Sequence, residues 1–261
     1  MKSIDIVTVA TNNYVDYWAD MVKTAEKFLD VSCHVTMNVF TDNPAWCESI
    51  RSCTEKLSIQ IFEIESLKWP MATLLRYNLI DKFAPALKSE YIMHLDADML
   101  IKRDFTVPLI HYEDKYDVSL VSHPGYFRPK SFKKIVFYSR NRRFIFRDAI
   151  AKIRLGGIGS WEISRESRAY VPRFKRKVYV CGGTWLGKSK AIKEMVAQLS
   201  REVDLDLKKG VIATWHDESH LNKWASINKF NLLTPSYCAD PTYPQLEGLP
   251  IFIEAVDKGT K

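Results

Sequence analysis

Nowhere in the 261 residues do about 18 apolar side chains run consecutively, so the sequence offers no ordinary membrane-spanning helix. The start, "MKSIDIVTVATNN", lacks the charged, apolar and small-residue zones of a secretory leader. It reads as a strand running into polar residues, and a cytoplasmic chain is expected. Cysteine offers no framework either. Cys33, Cys47, Cys53, Cys181 and Cys238 are odd in number and without CxxC spacing, which argues against disulfides or a cysteine-held zinc and for reduced thiols in the core or near a site. There is no internal repeat and no low-complexity linker. With 46% apolar residues the chain can bury a full core, so a single domain over residues 1–261 is expected.

Residues 128–154 lack acid. "RPKSFKKIVFYSRNRRFIFRDAIAKIR" sets ten Lys and Arg against Asp148 alone, with Phe132, Phe137, Tyr138, Phe144 and Phe146 interleaved, and most of the net charge of +7 sits here. Such a charge draws anionic partners: nucleotides, nucleic acid or an anionic membrane surface. The first expectation is an exposed basic hairpin or partly ordered loop, and the second is a membrane-surface or acceptor-binding element.

What the sequence does contain is an alternation of strand and helix patterns, as in an α/β sheet. "SIDIVTVA", "HVTMNVF" and "LSIQIFEI" read as strands, with "VDYWADMVKTAEKFL" as a helix between the first two. "PMATLLRYNLIDKF" predicts a helix with Pro70 in its first turn, feeding a fourth strand in "YIMHLDADML". "DVSLVSH" and "KVYVCGGTW" read as later strands, "SKAIKEMVAQLSREV" and "HDESHLNKWASI" as helices, and "FNLLTP" as a strand and turn.

Tyr91, Ile92, Met93 and Leu95 suit a buried strand, whereas Asp96 and Asp98 at its exit need a positive partner. If the two aspartates point to one side of an extended segment, both reach one hard cation that keeps positions free for phosphate oxygens. That suits a nucleotide-diphosphate site, and the alternative for so short a D-x-D is a solvated turn. "TWHDESHLNKW" adds Asp217 and Glu218, with His216 and His220, at a helix start. These acids alone would also serve as a capping cluster. Trp215 beside them offers a flat face for a sugar, and "VSHPGYF" places His123 before a Pro-Gly turn that exposes its surroundings.

"HPGYF", "SWEISRESRAYVP", "VYVCGGTWLG", "WHDESHLNKW" and "LTPSY", in that order, follow "VFTDNP", "LRYNLI" and "LDADM". Together they resemble glycosyltransferase family 6, the family of the ABO blood-group and α-1,3-galactosyl transferases, from about Ile4 to Lys258. The resemblance implies a GT-A fold, an α/β class with a Rossmann-like mixed sheet flanked by helices. It implies transfer of GalNAc or Gal from a UDP-sugar, in α-1,3 linkage and with retention, to a galactosyl or fucosyl-galactosyl acceptor, with Mn²⁺ as cofactor. Residues 1–100 would form the nucleotide-binding half and 101–261 the acceptor-binding half, with the basic insertion at about 128–158.

By the same resemblance Asp96 and Asp98 hold the metal, with Ala97 between them. Val9, Ala10, Thr11 and Tyr14 match the uridine-binding strand end, although the family usually has Phe at the Val9 position. Arg76 matches an arginine that approaches the donor, with an exposed helix cation as its alternative. Cys181, Gly182 and Gly183 match the positions that meet the donor sugar, and Gly183 leaves room for an acetamido group, so UDP-GalNAc is expected over UDP-Gal. Glu218 matches the catalytic carboxylate, Asp217 a donor-sugar contact, Lys258 a C-terminal cation that closes on the diphosphate, and His123, Trp215, Glu218 and Asp240 the acceptor side. The intact DAD places the chain with the metal-dependent branch. Without the anchor and stem of the animal enzymes it is expected to be a soluble microbial or viral form, touching the inner membrane face peripherally where its acceptor is lipid-linked. A sugar-binding module without turnover and a metal-dependent nucleotidyltransferase are the rival readings; a nucleic-acid partner is not expected, since it leaves "WHDESHLNK" unexplained.

Overall fold

The computed structural model describes residues 2–29, 33–51, 56–106, 109 and 115–256. Strand β1 (Lys2–Ala10) sends Ile4, Ile6 and Ala10 into one core cluster and Val7 into another, as a central strand buried on both faces must. Helix α1 (Tyr14–Phe28) returns over the first of these faces and buries Trp18, Met21, Val22 and Ala25 at helical spacing. Strand β2 (Cys33–Thr41), helix α2 (Pro44–Arg51) and strand β3 (Ser58–Glu63) follow, β2 parallel to β1 and β3 parallel to β2. The helix expected over 70–83 is two segments, α3 (Met71–Leu74) and α4 (Arg76–Phe83), meeting at Leu75. Strand β4 (Tyr91–Leu95) pairs parallel to β1 on its other side, and β5 (Met99–Ile101) leaves the sheet.

The remainder adds β6 (Val118–Ser122), α5 (Ser131–Arg140), α6 (Arg143–Leu155), β7 (Val180–Lys188), α7 (Ser189–Leu207), α8 (His216–Ala225), β8 (Asn231–Leu233) and β9 (Ile253–Ala255). Strand β7 runs antiparallel to both β4 and β6, and β8 parallel to β6. The described residues thus form a seven-stranded mixed sheet in the order β3-β2-β1-β4-β7-β6-β8, with β5 and β9 as a separate ribbon. On the face opposite α1, Ile192, Met195, Val196 and Leu199 of α7 and Leu221 and Trp224 of α8 pack in one cluster with Tyr77 and Ile80 of α4. This helix-flanked mixed sheet is the architecture expected of the GT-A class. Because β2 and β4 lie on opposite sides of β1, the chain diverges beyond the C-terminal ends of β1 and β4 and leaves a crevice there.

Two expectations change. The strand read over 177–185 begins only at Val180; Lys177, Val178 and Tyr179 stay outside the ladder. The basic segment, expected as an exposed hairpin or a partly ordered loop, is ordered as the consecutive helix pair α5 and α6. Its single acid organises it. Asp148 takes two 2.6 Å hydrogen bonds from Arg128 and a 2.7 Å bond from the Tyr138 hydroxyl, while Arg128 lies against the rings of Phe137 and Phe144, whose centroids are 5.1 Å apart. Burial raises the Asp148 carboxyl, but these bonds and the charge of Arg128 hold it below its usual value.

Among the described residues no helix is long and apolar enough to cross a membrane. The four described cysteines, Cys33, Cys47, Cys181 and Cys238, are buried and free, while Cys53 and Lys258 lie outside the described residues.

Candidate active site

The crevice at the ends of β1 and β4 is a cleft of about 560 Å³. Val9, Thr11 and Tyr14 line it from the first strand end, Trp69, Thr73 and Arg76 from α3, α4 and the approach to them, and Asp96, Ala97 and Asp98 from the second. Ala10 is fully buried, so its side chain belongs to the core and not to the cleft.

The two aspartates are not in extended chain. β4 ends at Leu95, and Asp96 to Asp98 form a turn closed by Met99 N–H donating to Asp96 O at 3.2 Å. From this turn both aspartates line the cleft, at the end of the sheet rather than within it. Asp96 is anchored from below by Arg76, whose Nη1 lies 2.8 Å from its Oδ1. Arg76 is 5% exposed, so it is not the surface cation that a position early in a helix suggests. It also reaches Asp217 Oδ2 at 3.3 Å, Gly182 O at 3.1 Å and His94 Nε2 at 2.8 Å. Carbonyl oxygens only accept, so the 3.1 Å contact with Val7 O puts the proton of His94 on Nδ1 and leaves Nε2 as an acceptor for Arg76. Burial and the neighbouring Arg76 both lower the His94 pKa, consistent with that neutral tautomer.

Asp217 and Glu218 occupy the first turn of α8, as expected. The helix does not need Glu218 as a cap: Ser219 Oγ accepts from Trp215 N–H at 3.0 Å, whereas Glu218 turns away to β7. There Gly182 N–H donates to Oε2 at 2.9 Å and the Tyr179 hydroxyl to Oε1 at 2.8 Å. Glycine is required at this crossing, because a Cβ on Gly182 would stand 2.9 Å from Asp217 Oδ2 and 3.2 Å from Glu218 Cβ. Burial pushes both carboxyls up to about 7, Asp217 against the pull of Arg76 and Glu218 against its two hydrogen-bond donors. Burial, and then Glu218, keep the Tyr179 phenol protonated as a donor.

Asp96 and Asp217 thus pair with one buried arginine, and Glu218 stands close enough to feel both Asp96 and Arg76, an excess of negative charge that a divalent cation relieves. Among the described residues no group of three or more His, Cys, Asp and Glu is placed to hold a metal ion by itself. Two carboxylates beside an open cleft fit instead a hard cation whose other positions are filled by a ligand's oxygens. A Cβ on Gly183 would lie 2.8 Å from Asp96 Oδ2 and 2.9 Å from Met99 Cε, so this glycine sets the space beside the aspartate. Cys181 is buried with its thiol 3.9 Å from Thr184 O; like Gly182, Gly183, Asp217 and Glu218, it is not among the residues that line the cleft itself.

On the far side of Tyr179 lies His123, with ring centroids 5.7 Å apart. Its Nδ1 accepts from Gly125 N–H at 3.0 Å in the Pro-Gly turn, and burial lowers its pKa to about 4. Asp240 raises that value slightly from nearby, and Trp215 is half exposed at the start of α8. The structure therefore joins Arg76, Asp96, Gly182, Asp217 and Glu218 directly, and His123 through the Tyr179 ring. Sequence reasoning missed His94, Tyr179 and Trp69. His94 stands in the quoted strand two residues before Asp96, the one available hint; Tyr179 and Trp69 have no local signal, because their roles come from partners or walls far along the chain.

The model of glycosyltransferase family 6 matches residues 2–144 and 159–256. Histo-blood group ABO system transferase 1 of Rattus norvegicus is 24% identical over 245 residues, 91% of this chain and 61% of the relative. The O-antigen biosynthesis glycosyltransferase WbnI of Escherichia coli is 25% identical over 90% of this chain and 86% of its own. The human globoside alpha-1,3-N-acetylgalactosaminyltransferase 1 is 22% identical over 95% of this chain and 64% of its own. The chain spans less than two thirds of the length of these two animal relatives.

Proposed function

Because the chain belongs to glycosyltransferase family 6, we propose that it is a retaining transferase that moves GalNAc, or more slowly Gal, from its UDP-sugar in α-1,3 linkage to a galactose-containing acceptor, with Mn²⁺ as cofactor. The observation that carries this reading is the meeting of Asp96, Arg76, Asp217 and Glu218 at Gly182, with Gly183 against Asp96, beside a cleft of about 560 Å³. The uridine lies against Val9, Thr11 and Tyr14, and the diphosphate at Asp96 and Asp98. The two aspartates would hold the cation, which supplies positive charge for the departing diphosphate when bound.

Transfer breaks the bond from the sugar C1 to the diphosphate oxygen, whose electron pair leaves with UDP, and joins C1 to the acceptor oxygen. The acceptor proton passes to the departing phosphate or to solvent. Glu218 serves as the nucleophile of a two-step path or as the anion that stabilises an oxocarbenium-like centre. Both roles require its carboxylate ionised and fixed, which Gly182 N–H and the Tyr179 hydroxyl favour by donating to one oxygen each. Asp217, held by Arg76, meets the donor-sugar hydroxyls, while His123, Trp215 and Asp240 receive the acceptor. Residues 1–100 supply the nucleotide site and 101–261 most of the sugar site. A cytoplasmic location accompanies this reading.

A sugar-binding module would have no use for a buried carboxylate held by two donors. The test is incubation with UDP-GalNAc or UDP-Gal, Mn²⁺ and a galactosyl or fucosyl-galactosyl acceptor, with and without EDTA, followed by linkage analysis. An α-1,3 product that disappears with EDTA is expected; UDP release without a glycoside product would refute the assignment.

A further inference from the structure

The family model skips residues 145–158, and that gap contains most of helix α6. One side of the helix faces the domain, where Phe144 and Asp148 are buried, yet Phe146, Ile150 and Ile153, spaced i, i+4 and i+7, are 72%, 52% and 73% exposed. Folding therefore accounts for the inner side and leaves an apolar stripe in water. At the C-terminal end of α6, Arg173 bonds to the carbonyl of Ile153, and the adjoining Phe174 is 79% exposed. On α5, Phe132 and Ile135 are 73% and 66% exposed.

The charge around this stripe is mostly of one sign. Arg143, Lys152 and Arg154 are exposed on α6, Arg142 just before it, and Lys133 and Lys134 on α5; Glu247 answers Arg140 at the far end. The only acid of the segment, Asp148, is turned inward and neutralised by Arg128. Residues 128–154 carry a net +9 against the whole chain's +7, so the remainder sums to −2, and Arg173, Lys175 and Lys177 beside Phe174 extend the cationic surface. Large apolar side chains ringed by Lys and Arg match a surface with anionic headgroups over hydrocarbon, whereas a polyanion without an apolar layer leaves the stripe unsatisfied.

The position of the helix gives this a purpose. Arg147 Nη2 and Arg128 Nη1 both donate to Gly125 O, at 3.1 and 3.3 Å, and Gly125 N–H holds His123. The element thus braces the turn that carries the acceptor-side histidine.

We propose that α6, with Phe174, docks the protein on an anionic phospholipid surface, Phe146, Ile150 and Ile153 entering the headgroup boundary, and that the acceptor is presented from that membrane. The second clause rests on the function proposed above; the docking does not, and its assay needs no turnover.

The test is flotation of the full chain with phosphatidylcholine vesicles, with and without phosphatidylglycerol, across a salt series. Binding is expected only with phosphatidylglycerol and weakens as salt rises. The combined Phe146→Ser, Ile150→Ser and Ile153→Ser variant should bind at least about tenfold more weakly, since an interfacial helix is held by its apolar face as well as its charge. Lys152→Glu with Arg154→Glu should remove the preference for the anionic lipid, and both variants should retain transfer to a soluble acceptor. Absence of wild-type binding, or binding indifferent to salt and to phosphatidylglycerol, overturns the proposal without recourse to any variant. So does undiminished binding by the apolar triple variant, which would mark an electrostatic surface for any polyanion, or a wild-type dimer that the triple variant dissolves, which would mark a second copy as the occupant. Flotation without any glycosyl transfer would remove the enzymatic reading and leave the docking in place.

Discussion

The cleft and the helix pair hold their charges in opposite ways. In the cleft, Arg76 is withdrawn from water and satisfied by Asp96, Asp217, Gly182 and His94, so each charge acts through a fixed neighbour. On the helix pair Arg128 and Asp148 are treated so, and Arg147 in part, while most of the other cations are exposed, where they act together as a field. Burial makes a charge specific and vulnerable to one substitution. Exposure makes it collective and tolerant.

The comparison breaks first at Glu218. Its exchange for Gln keeps the shape but removes the anion, and we expect turnover to fall roughly 10³-fold while UDP affinity, read by calorimetry, changes little. Near-normal turnover in a folded variant would take the catalytic role away.

Either Asp96→Ala or Asp98→Ala is expected to reduce transfer on the order of 10²-fold through loss of the cation's oxygen ligands. Asp96→Ala also removes one of the two carboxylates on Arg76, so it should lower unfolding stability by about 1–2 kcal/mol and not more, because Asp96 is partly exposed and Asp217 remains. An unchanged melting temperature for Asp96→Ala would contradict the role given to Arg76.

Tyr179→Phe sharpens the contrast at smaller scale. It deletes one donor to the Glu218 carboxylate, so turnover should fall about tenfold and the acidic limb of the pH profile should move upward. A lower rate with an unmoved profile would make Tyr179 merely a packing residue. Gly183→Ala should shift donor preference from UDP-GalNAc toward UDP-Gal in direct competition, at some loss of turnover because the new Cβ presses on Asp96. An unshifted ratio would assign the discrimination to other residues.

The mildest effect is on stability. Glu218 ionises near 7 in the folded protein and at an ordinary 4.5 when unfolded. Between those values the folded state binds more protons, so this group's contribution is full below 4.5 and is lost as pH rises through 7. Without metal, Glu218→Gln should therefore gain on the wild type over that window, by on the order of 2 kcal/mol in urea unfolding. His123, lowered to about 4, has the opposite slope and cancels in the difference. A pH-independent difference would show that Glu218 is better solvated than its burial implies.

Much of the fold was legible because strand and helix periods are local. The two faces of β1, the stripe of α1 and the acidic first turn of α8 repeat at spacings that a single segment displays. The segment 128–154 was misread for an instructive reason. Its cations and rings resemble a solvated loop, but Asp148 and Arg128, twenty residues apart, lock two helices together.

By itself the sequence determined which chemical groups the protein owns and in what order: the paired aspartates after a buried strand, the Asp-Glu opening of a helix, the glycine pair of β7, and one element where positive charge goes unanswered. Only the tertiary structure decided which of those groups are active on one another. Tyr179 meets Glu218 across 39 positions, Arg76 meets Asp217 across 141, and the same kind of arginine that is buried there is exposed on α6. The pKa and reach of a charged group depend on how much water and which opposite charges surround it, and those are set by contacts between segments, which no local spacing records.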